Sequence, residues 1–287
     1  MIRHAFAALG TRVELVLDAP AGRESSAALA QAEAEVHRLE SILSRFRPES
    51  ELSQLNRDGA IAAGPELAEV VRAALHARAA TGGRFDPTVL DAVEGAGYDR
   101  SFAELPAAGP RPLQARSCRG HVTVDAAGTV RLAPGARLDL GGIAKGWIAE
   151  RAADILAAAG PCLVDAGGDI ATRGAAFPVG VDTPDGTVTL LVEGAGLATS
   201  GTDRRRWLAQ GGAEAHHLID PATGAPSRSD LLRVTVVAGD ATAAEPWAKA
   251  LFLVGAAAAQ AEAELRGIPV VLVTRGGHTV LAGGVTA

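Results

Sequence analysis

A pair of glycines near the middle of the chain most constrains how it can fold. Residues 137–140 (RLDL) alternate polar and apolar side chains, Gly141 and Gly142 break the pattern, and residues 143–159 place apolar side chains at helical spacing. This pattern predicts a strand, a turn and a helix. The first amides of such a helix and the positive end of its dipole attract an anion, and the bare glycines would let a phosphate approach the backbone.

Asp139 and Lys145 flank this turn. A lysine in the first helical turn lies at the positive end of the dipole, which suits it best when an anion is bound there. Asp139, at the end of the predicted strand, could hold a polar ring edge, a hydroxyl or a metal. The alternative is structural: a simple turn, a solvated lysine and an aspartate cap. The segment matches neither a P-loop nor a GxGxxG fingerprint.

Length and charge limit the classes of function. With 287 residues and 48% hydrophobic composition, the chain can bury the core of one large domain or two small ones. The net charge of −6 comes without a long basic block, which argues against nucleic-acid binding and favours a small-molecule or protein partner. Cys118 and Cys162 lie outside any CxxC motif, so neither a zinc site nor a disulfide framework is indicated, although a single disulfide remains open.

Residues 1–18 pass directly into a strand-like alternation, without an apolar run long enough for a signal peptide or a membrane span. We therefore expect a cytoplasmic protein with no membrane span.

The first third of the chain predicts two amphipathic helices, the second of which begins at Pro65. The apolar stripe of the first consists of Leu29, Ala32, Val36, Leu39 and Leu43. Residues 44–57 lose this periodicity and are predicted as a ligand loop. In it, Phe46 could stack on a flat ring while Arg45 or Arg47 meets phosphate, with simple packing as the alternative.

Three further segments carry candidate chemistry. Residues 84–89, which follow Gly82 and Gly83, predict a glycine-released turn that buries an aromatic and an aspartate. Residues 91–120 predict a long surface excursion. Residues 165–169 (DAGGD) form a second Gly-Gly turn, flanked by Asp165 and Asp169, which could line one cleft with the first or be only a tight turn.

The C-terminal half adds titratable groups. The arginines at 204–206 could meet phosphate or form a solvated surface. His217 stands three residues before Asp220, a spacing compatible with a general base or with a structural pair. In a predicted helix over residues 242–254, Glu245 and Lys249 are four apart, in the orientation that favours a salt bridge.

Taken in order, eight segments of the chain resemble the ApbE family, the FAD:protein FMN transferases. They are GTRVELVL, SRFRPESELSQLN, GGRFDPTV, LDLGGIAKG, VDAGGDI, ATSG, HHLIDPATG and AKALFLVG, and they run from about residue 10 to residue 255. The resemblance implies one α+β domain over residues 1–287, with mixed and antiparallel sheets and packed helices around an FAD cleft. It also implies FAD as the donor substrate, Mg²⁺ as the metal, and an acceptor flavoprotein whose threonine or serine receives FMN through a phosphoester bond.

The resemblance carries roles onto particular residues of this chain. His217 matches the histidine that assists deprotonation of the acceptor hydroxyl, and Lys145 would help spread charge over the pyrophosphate. Gly142 matches a residue whose carbonyl ligates magnesium. The positions that match FAD contacts are Phe46, Arg84, Phe85, Asp86, Asp139, Lys145 and Leu218.

The predicted metal helix departs from the family pattern. The family has an aspartate and, four residues later, a threonine as magnesium ligands, whereas this chain has Glu245 and Lys249. Glu245 still offers a hard oxygen ligand, but an ammonium cannot ligate a cation. We hypothesise either that Lys249 takes part of the magnesium's place and faces the phosphate of FAD, or that it forms an ordinary salt bridge beside a lost metal site.

From these residues we predict an enzyme that transfers the FMN moiety of FAD to a protein hydroxyl. One alternative is an FAD pyrophosphatase that releases FMN and AMP, with water in place of the acceptor. The other is an FAD-binding protein without catalytic activity.

Overall fold

The computed structural model describes residues 1–105, 112–210 and 212–285. Its helices are α1 (Arg23–Leu43), α2 (Glu51–Asp58), α3 (Pro65–Ala80), α4 (Leu90–Gly95), α5 (Ala144–Ala157), α6 (Ala241–Val254) and α7 (Ala256–Arg266). Its strands are β1 (Ile2–Ala8), β2 (Thr11–Leu17), β3 (Ala60–Ala62), β4 (Val122–Val124), β5 (Thr129–Leu132), β6 (Cys162–Ala166), β7 (Asp169–Arg173), β8 (Ala176–Thr183), β9 (Gly186–Glu193), β10 (Gly196–Gly201), β11 (Arg206–Leu208), β12 (Glu214–His216), β13 (Ile219–Asp220), β14 (Ala225–Pro226), β15 (Leu231–Ala238), β16 (Val270–Thr274) and β17 (Thr279–Ala282).

These elements form two compact units. Unit 1 comprises Met1–Glu40, Ile143–Ser200 and Asp230–Ala287, and unit 2 comprises Ser41–Gly142 and Gly201–Ser229. The predicted α+β fold with antiparallel sheets is confirmed. A single domain over residues 1–287 stays a prediction.

Unit 1 is built on an eight-stranded sheet in the order β1-β2-β6-β7-β10-β15-β16-β17. Neighbouring strands pair antiparallel from β1 to β10 and again from β15 to β17. Helices α5 and α6 pack on its central strands and on each other. Strands β8 and β9 form an antiparallel hairpin that shares a buried apolar cluster with β7 and β10. The apolar stripe predicted for α1 is buried along its whole length.

Helices α5 and α6 approach closely because a glycine stands at their crossing. A Cβ atom on Gly146 would lie 2.4 Å from the carbonyl oxygen of Ala241. Any larger residue would therefore push the first turn of α5 away from the first turn of α6. This close approach brings the charged side chains of the two helices within contact distance.

Unit 2 contains the three-stranded sheet β3-β5-β4, two short two-stranded sheets and helices α2 to α4. The prediction of an irregular loop over residues 44–57 was partly wrong, because α2 begins after Ser50, whose side chain accepts a hydrogen bond from the Ser53 amide. The surface excursion predicted for residues 91–120 was also partly wrong. Tyr98 lies in a buried cluster with Trp207 and with Ala92 and Val93 of α4, while residues 106–111 lie outside the described part.

The strand predicted at residues 137–140 is absent from the described structure. Asn56 takes the place of a neighbouring strand: its Oδ1 accepts from the Leu138 amide (2.6 Å) and its Nδ2 donates to the Leu138 carbonyl (2.8 Å). The Asp139 amide donates to the carbonyl of Pro87 (2.8 Å). The alternation of polar and apolar residues at 137–140 therefore reflects the burial of Leu138 and Leu140, although this segment joins no sheet.

Cys118 and Cys162 are both free thiols, so the single disulfide left open by the sequence is not formed. Burial raises the pKa of each thiol to about 11, which makes both poor nucleophiles. Among the described helices, none combines the length and the apolar character that crossing a membrane requires.

Candidate active site

Four charged side chains meet at the start of α5 in unit 1. The Lys145 ammonium contacts the Asp169 carboxylate and lies 2.9 Å from Glu245 Oε1, and the Lys249 ammonium lies 3.1 Å from the same Oε1 atom. The side chains of Glu245 and Asp169 are 1% and 2% exposed, and those of Lys145 and Lys249 are 16% and 19% exposed. We call these residues the four-charge cluster. Its two ammonium groups balance its two carboxylates.

The cluster keeps Glu245 ionised although this residue is buried. Burial by itself raises the pKa of the Glu245 carboxyl, but the Lys145 and Lys249 ammonium groups oppose it and hold that pKa below its usual value. Since each charge is desolvated, the loss of one partner would leave an uncompensated buried charge, which typically costs about 3–5 kcal/mol. Each member of the cluster therefore stabilises the other three.

Glu245 also serves as the anion at the N-terminus of α5. This helix begins at Ala144 with no side-chain cap from Ile143, and the Gly146 amide donates to Glu245 Oε2 at 3.2 Å. The predicted turn and helix are confirmed. A carboxylate from α6 therefore lies at the positive end of this helix. Binding of a phosphate at the same helix start stays a prediction.

The residues around Glu245 do not fit a divalent cation. Both carboxylate oxygens already accept hydrogen bonds, Oε1 from two ammonium groups and Oε2 from a backbone amide. Mg²⁺ requires octahedral oxygen ligands at about 2.0–2.1 Å. Within the described ranges, no group of three or more His, Cys, Asp or Glu side chains could hold a metal ion. Gly142, the other implied ligand, lies buried in unit 2, in the turn before α5.

In unit 2, Arg45 holds Asp139 in place. Asp139 Oδ1 accepts the Gly141 amide at 2.7 Å, and its Oδ2 lies 3.2 Å from Arg45 Nε. The Arg45 guanidinium lies 4.1 Å from the ring centroid of Phe46 and 4.8 Å from that of Tyr98, and it donates to the Tyr98 carbonyl at 2.9 Å. Arg45 is thus engaged inside unit 2. A contact of Arg45 or Arg47 with phosphate stays a prediction.

Phe46 remains 41% exposed while Arg45 supports it from one side. An exposed aromatic ring on a rigid support suits stacking on a flat ligand. Burial raises the pKa of the neighbouring Tyr98, so its phenol stays neutral at physiological pH.

The predicted turn at residues 84–89 buries its aromatic and its aspartate, as expected from the sequence. Phe85 and Asp86 are both buried, and Arg84 donates to the Thr81 carbonyl at 2.9 Å. Asp86 Oδ1 accepts from the amide (2.8 Å) and the hydroxyl (2.7 Å) of Thr88. Asp86 Oδ2 faces the Arg78 guanidinium at 3.3 Å and accepts no hydrogen bond from the described residues.

The two histidines at the end of β12 differ in burial. His216 is buried, with Nε2 3.0 Å from the Ser227 carbonyl and Nδ1 3.3 Å from the Leu218 amide, so its Nε2 carries the proton. His217 is half-buried, with Nδ1 3.5 Å from the Arg205 carbonyl. The Asp220 carboxylate accepts the Ala222 amide at 2.8 Å and so closes a turn. The backbone of Leu218 is also paired, since its carbonyl accepts the Ser227 amide at 2.9 Å.

Sequence reasoning missed Asn56 and the supporting role of Arg45, and it did not select Asp169 as a site residue. One signal was available in the composition. Of the 27 lysines and arginines in the chain, only Lys145 and Lys249 are lysines, and both contact Glu245.

The chain is similar to known proteins in both sequence and fold. The sequence model of the ApbE family matches residues 9–272. The FAD:protein FMN transferase of Treponema pallidum is 31% identical over 275 residues, which cover 85% of this chain and 75% of that protein. The protein of the same name from Salmonella typhimurium is 30% identical over 261 residues, which cover 83% of this chain and 74% of that protein.

Solved structures share the fold over almost the whole chain. The flavin transferase ApbE from Vibrio cholerae has a TM-score of 0.81 at 24% identity, with 98% of this chain and 96% of that chain covered. The ApbE protein from Thermotoga maritima has a TM-score of 0.81 at 25% identity, with the same coverage of each chain. From the family match and these likenesses in sequence and fold, we conclude that the chain belongs to the ApbE family.

Proposed function

We propose that this chain is an FAD:protein FMN transferase, which attaches the FMN moiety of FAD to a threonine or serine hydroxyl of an acceptor flavoprotein. The observation that carries the proposal is the 31% identity, over 85% of the chain, to a relative with that name. The polar side chains described above supply the groups that such a reaction needs.

The proposed reaction exchanges one bond to phosphorus for another. The acceptor hydroxyl oxygen attacks the phosphorus on the FMN side of the pyrophosphate, and a phosphoester bond forms. The bond from this phosphorus to the bridging oxygen breaks, and AMP leaves with that oxygen. The hydroxyl proton passes to a base, for which we propose His217. If His217 Nδ1 carries the proton and points to the Arg205 carbonyl, Nε2 keeps the lone pair that a base requires.

We assign the flavin end of FAD to residues of unit 2. The exposed ring of Phe46 would stack on the isoalloxazine, and Asp139, fixed by Arg45, would accept a hydrogen bond from a polar edge of FAD. Arg84, Phe85 and Asp86 would contact the flavin from their buried turn, and Leu218 would do so through the second lone pair of its carbonyl.

We assign the balance of pyrophosphate charge to Lys145 and Lys249. Charge that develops on the phosphate oxygens is stabilised best by cations fixed in a site of low polarity. An ammonium has three N–H donors, and Glu245 accepts only one of those on Lys249. The remaining donors of Lys249 are the ones we assign to a phosphate oxygen.

The test is intact-mass spectrometry of an acceptor flavoprotein domain incubated with this protein and FAD. A gain in mass equal to bound FMN, together with free AMP, is the expected result. Release of free FMN without an adduct would indicate the pyrophosphatase, and FAD that stays intact with several acceptors would indicate the binding protein.

His217→Ala should lower the transfer rate about 10²–10⁴-fold while FAD affinity changes little, because a base acts on the acceptor proton. His76→Ala, which removes an exposed histidine on α3, is the matched control and should retain full activity. A normal transfer rate in the His217 variant would exclude it as the base.

A further inference from the structure

We propose that Lys249 is a built-in cation that replaces a divalent metal at Glu245, so that this chain binds FAD without a metal ion. The FAD part of this inference rests on the proposed function, whereas the exclusion of metal from Glu245 rests on the contacts of the four-charge cluster alone.

The contacts of Glu245 oppose the binding of a metal ion. Its Oε1 atom is shared by the Lys145 and Lys249 ammonium groups, at 2.9 and 3.1 Å, and its Oε2 atom accepts the Gly146 amide at 3.2 Å. A divalent ion at Oε1 would have to displace one ammonium group and would be repelled by the other, and an ion at Oε2 would be repelled by both. Since the side chain is 1% exposed, water would screen that repulsion weakly.

The choice of residue supports the same conclusion. The chain uses arginine for all but two of its 27 basic residues, and both exceptions contact the same carboxylate oxygen. A guanidinium is a wide planar fork, whereas an ammonium is a compact point charge whose three donors can turn toward different oxygens. The Lys249 ammonium thus supplies the compact positive charge beside a buried carboxylate that a metal ion could also supply.

The charge count explains why a metal is not needed. Asp169 and Glu245 are balanced by Lys145 and Lys249, so a divalent ion would add two uncompensated positive charges to a buried site. Replacing Lys249 by threonine would leave one excess negative charge and a hydroxyl beside Glu245. That arrangement favours binding of a divalent cation.

The first experiment measures Mn²⁺ binding to the full chain without FAD, by electron paramagnetic resonance and equilibrium dialysis. We expect wild type to show no stoichiometric Mn²⁺ binding at Glu245. Lys249→Thr should bind one Mn²⁺ ion, with an affinity at least ten-fold higher than any residual binding by wild type. The second change Glu245→Gln should abolish the gained site. One Mn²⁺ bound by wild type and lost in Glu245→Gln would overturn the proposal.

The second experiment measures FAD affinity by quenching of flavin fluorescence, in chelator and in Mg²⁺. The expected result for wild type is the same affinity within two-fold in both buffers, and at least ten-fold weaker binding for Lys249→Ala. Arg266→Ala is the matched control, because it removes a cation on the neighbouring helix α7 that pairs with Glu262. Wild-type affinity that collapses in chelator, or an unchanged affinity in a folded Lys249→Ala protein, would refute the inference.

These assays remain informative if the proposed function fails. A chain that transfers no FMN to any acceptor can still be tested for Mn²⁺ and FAD binding. The wild-type comparison in chelator needs no variant, so poor folding of Lys249→Ala would not prevent the test.

Discussion

Replacing Asn56 by alanine should destabilise unit 2, although this side chain touches no predicted site residue directly. It makes two hydrogen bonds to the backbone of Leu138, at 2.6 and 2.8 Å, and Leu138 is fully buried. A hydrogen bond contributes about 0.5–1.5 kcal/mol net, and a buried group left without a partner costs about 1–3 kcal/mol. For Asn56→Ala we therefore expect a loss of about 2–4 kcal/mol in the free energy of unfolding.

The assay is urea unfolding followed by circular dichroism. Asn56→Asp keeps the acceptor for the Leu138 amide and loses the donor, so it should fall between wild type and the alanine variant. Gln54→Ala on the same helix removes one exposed hydrogen bond, to the Glu49 carbonyl, and should cost less than about 0.5 kcal/mol. An Asn56→Ala protein as stable as the Gln54→Ala protein would refute the idea that this amide replaces a strand.

Three further predictions concern packing, pH and stacking. Gly146→Ala should lower stability by about 1–3 kcal/mol, because the new Cβ would meet the α6 backbone, whereas Gly239→Ala, with open space around it, is the neutral control in thermal unfolding. Burial raises the pKa of the Glu150 carboxyl, so the folded state binds more protons than the unfolded state above the ordinary value of 4.5. The contribution of Glu150 to the free energy of unfolding should therefore fall as pH rises from 4.5 through its folded-state pKa. Glu150→Gln should remove this dependence of stability on pH. If unfolding measured from pH 4 to 8 shows the same pH dependence in both proteins, the raised pKa of Glu150 is contradicted. Phe46→Ala should weaken FAD binding by about 0.5–1.5 kcal/mol, whereas Phe46→Tyr should keep the wild-type affinity, because a phenol ring stacks equally well. Equal FAD affinity in wild type and both variants would exclude Phe46 from the flavin site.

Local patterns in the sequence predicted the elements well where one periodicity dominated. The predictions for the stripe of α1, the start of α3 at Pro65 and the turn before α5 followed from the spacing of apolar residues, glycine and proline. Helix α2 was missed because its eight residues are largely polar, and its N-cap Ser50 lies among other serines. The eight family segments identified the family, since their order along the chain is itself specific information.

Contacts between distant residues were decided only by the tertiary structure. Residues 137–140 alternate like a strand, yet the amide of Asn56, 82 positions away from Leu138, makes the hydrogen bonds that a neighbouring strand would have made. For Arg45, the sequence left open either a contact with phosphate or packing against an aromatic ring. The fold places its guanidinium beside the Phe46 and Tyr98 rings and the Asp139 carboxylate.

By itself, the sequence determined the α+β class, the family, and the substitution of Glu245 and Lys249 in the predicted metal helix, because each depends on residue types at fixed local spacing. It could not determine that Lys145, 100 positions before Glu245, contacts the same carboxylate, or that Asp169 completes the balance of charge. Which charges share a buried site depends on how closely α5 and α6 pack, and that distance is set by the absence of a side chain at Gly146.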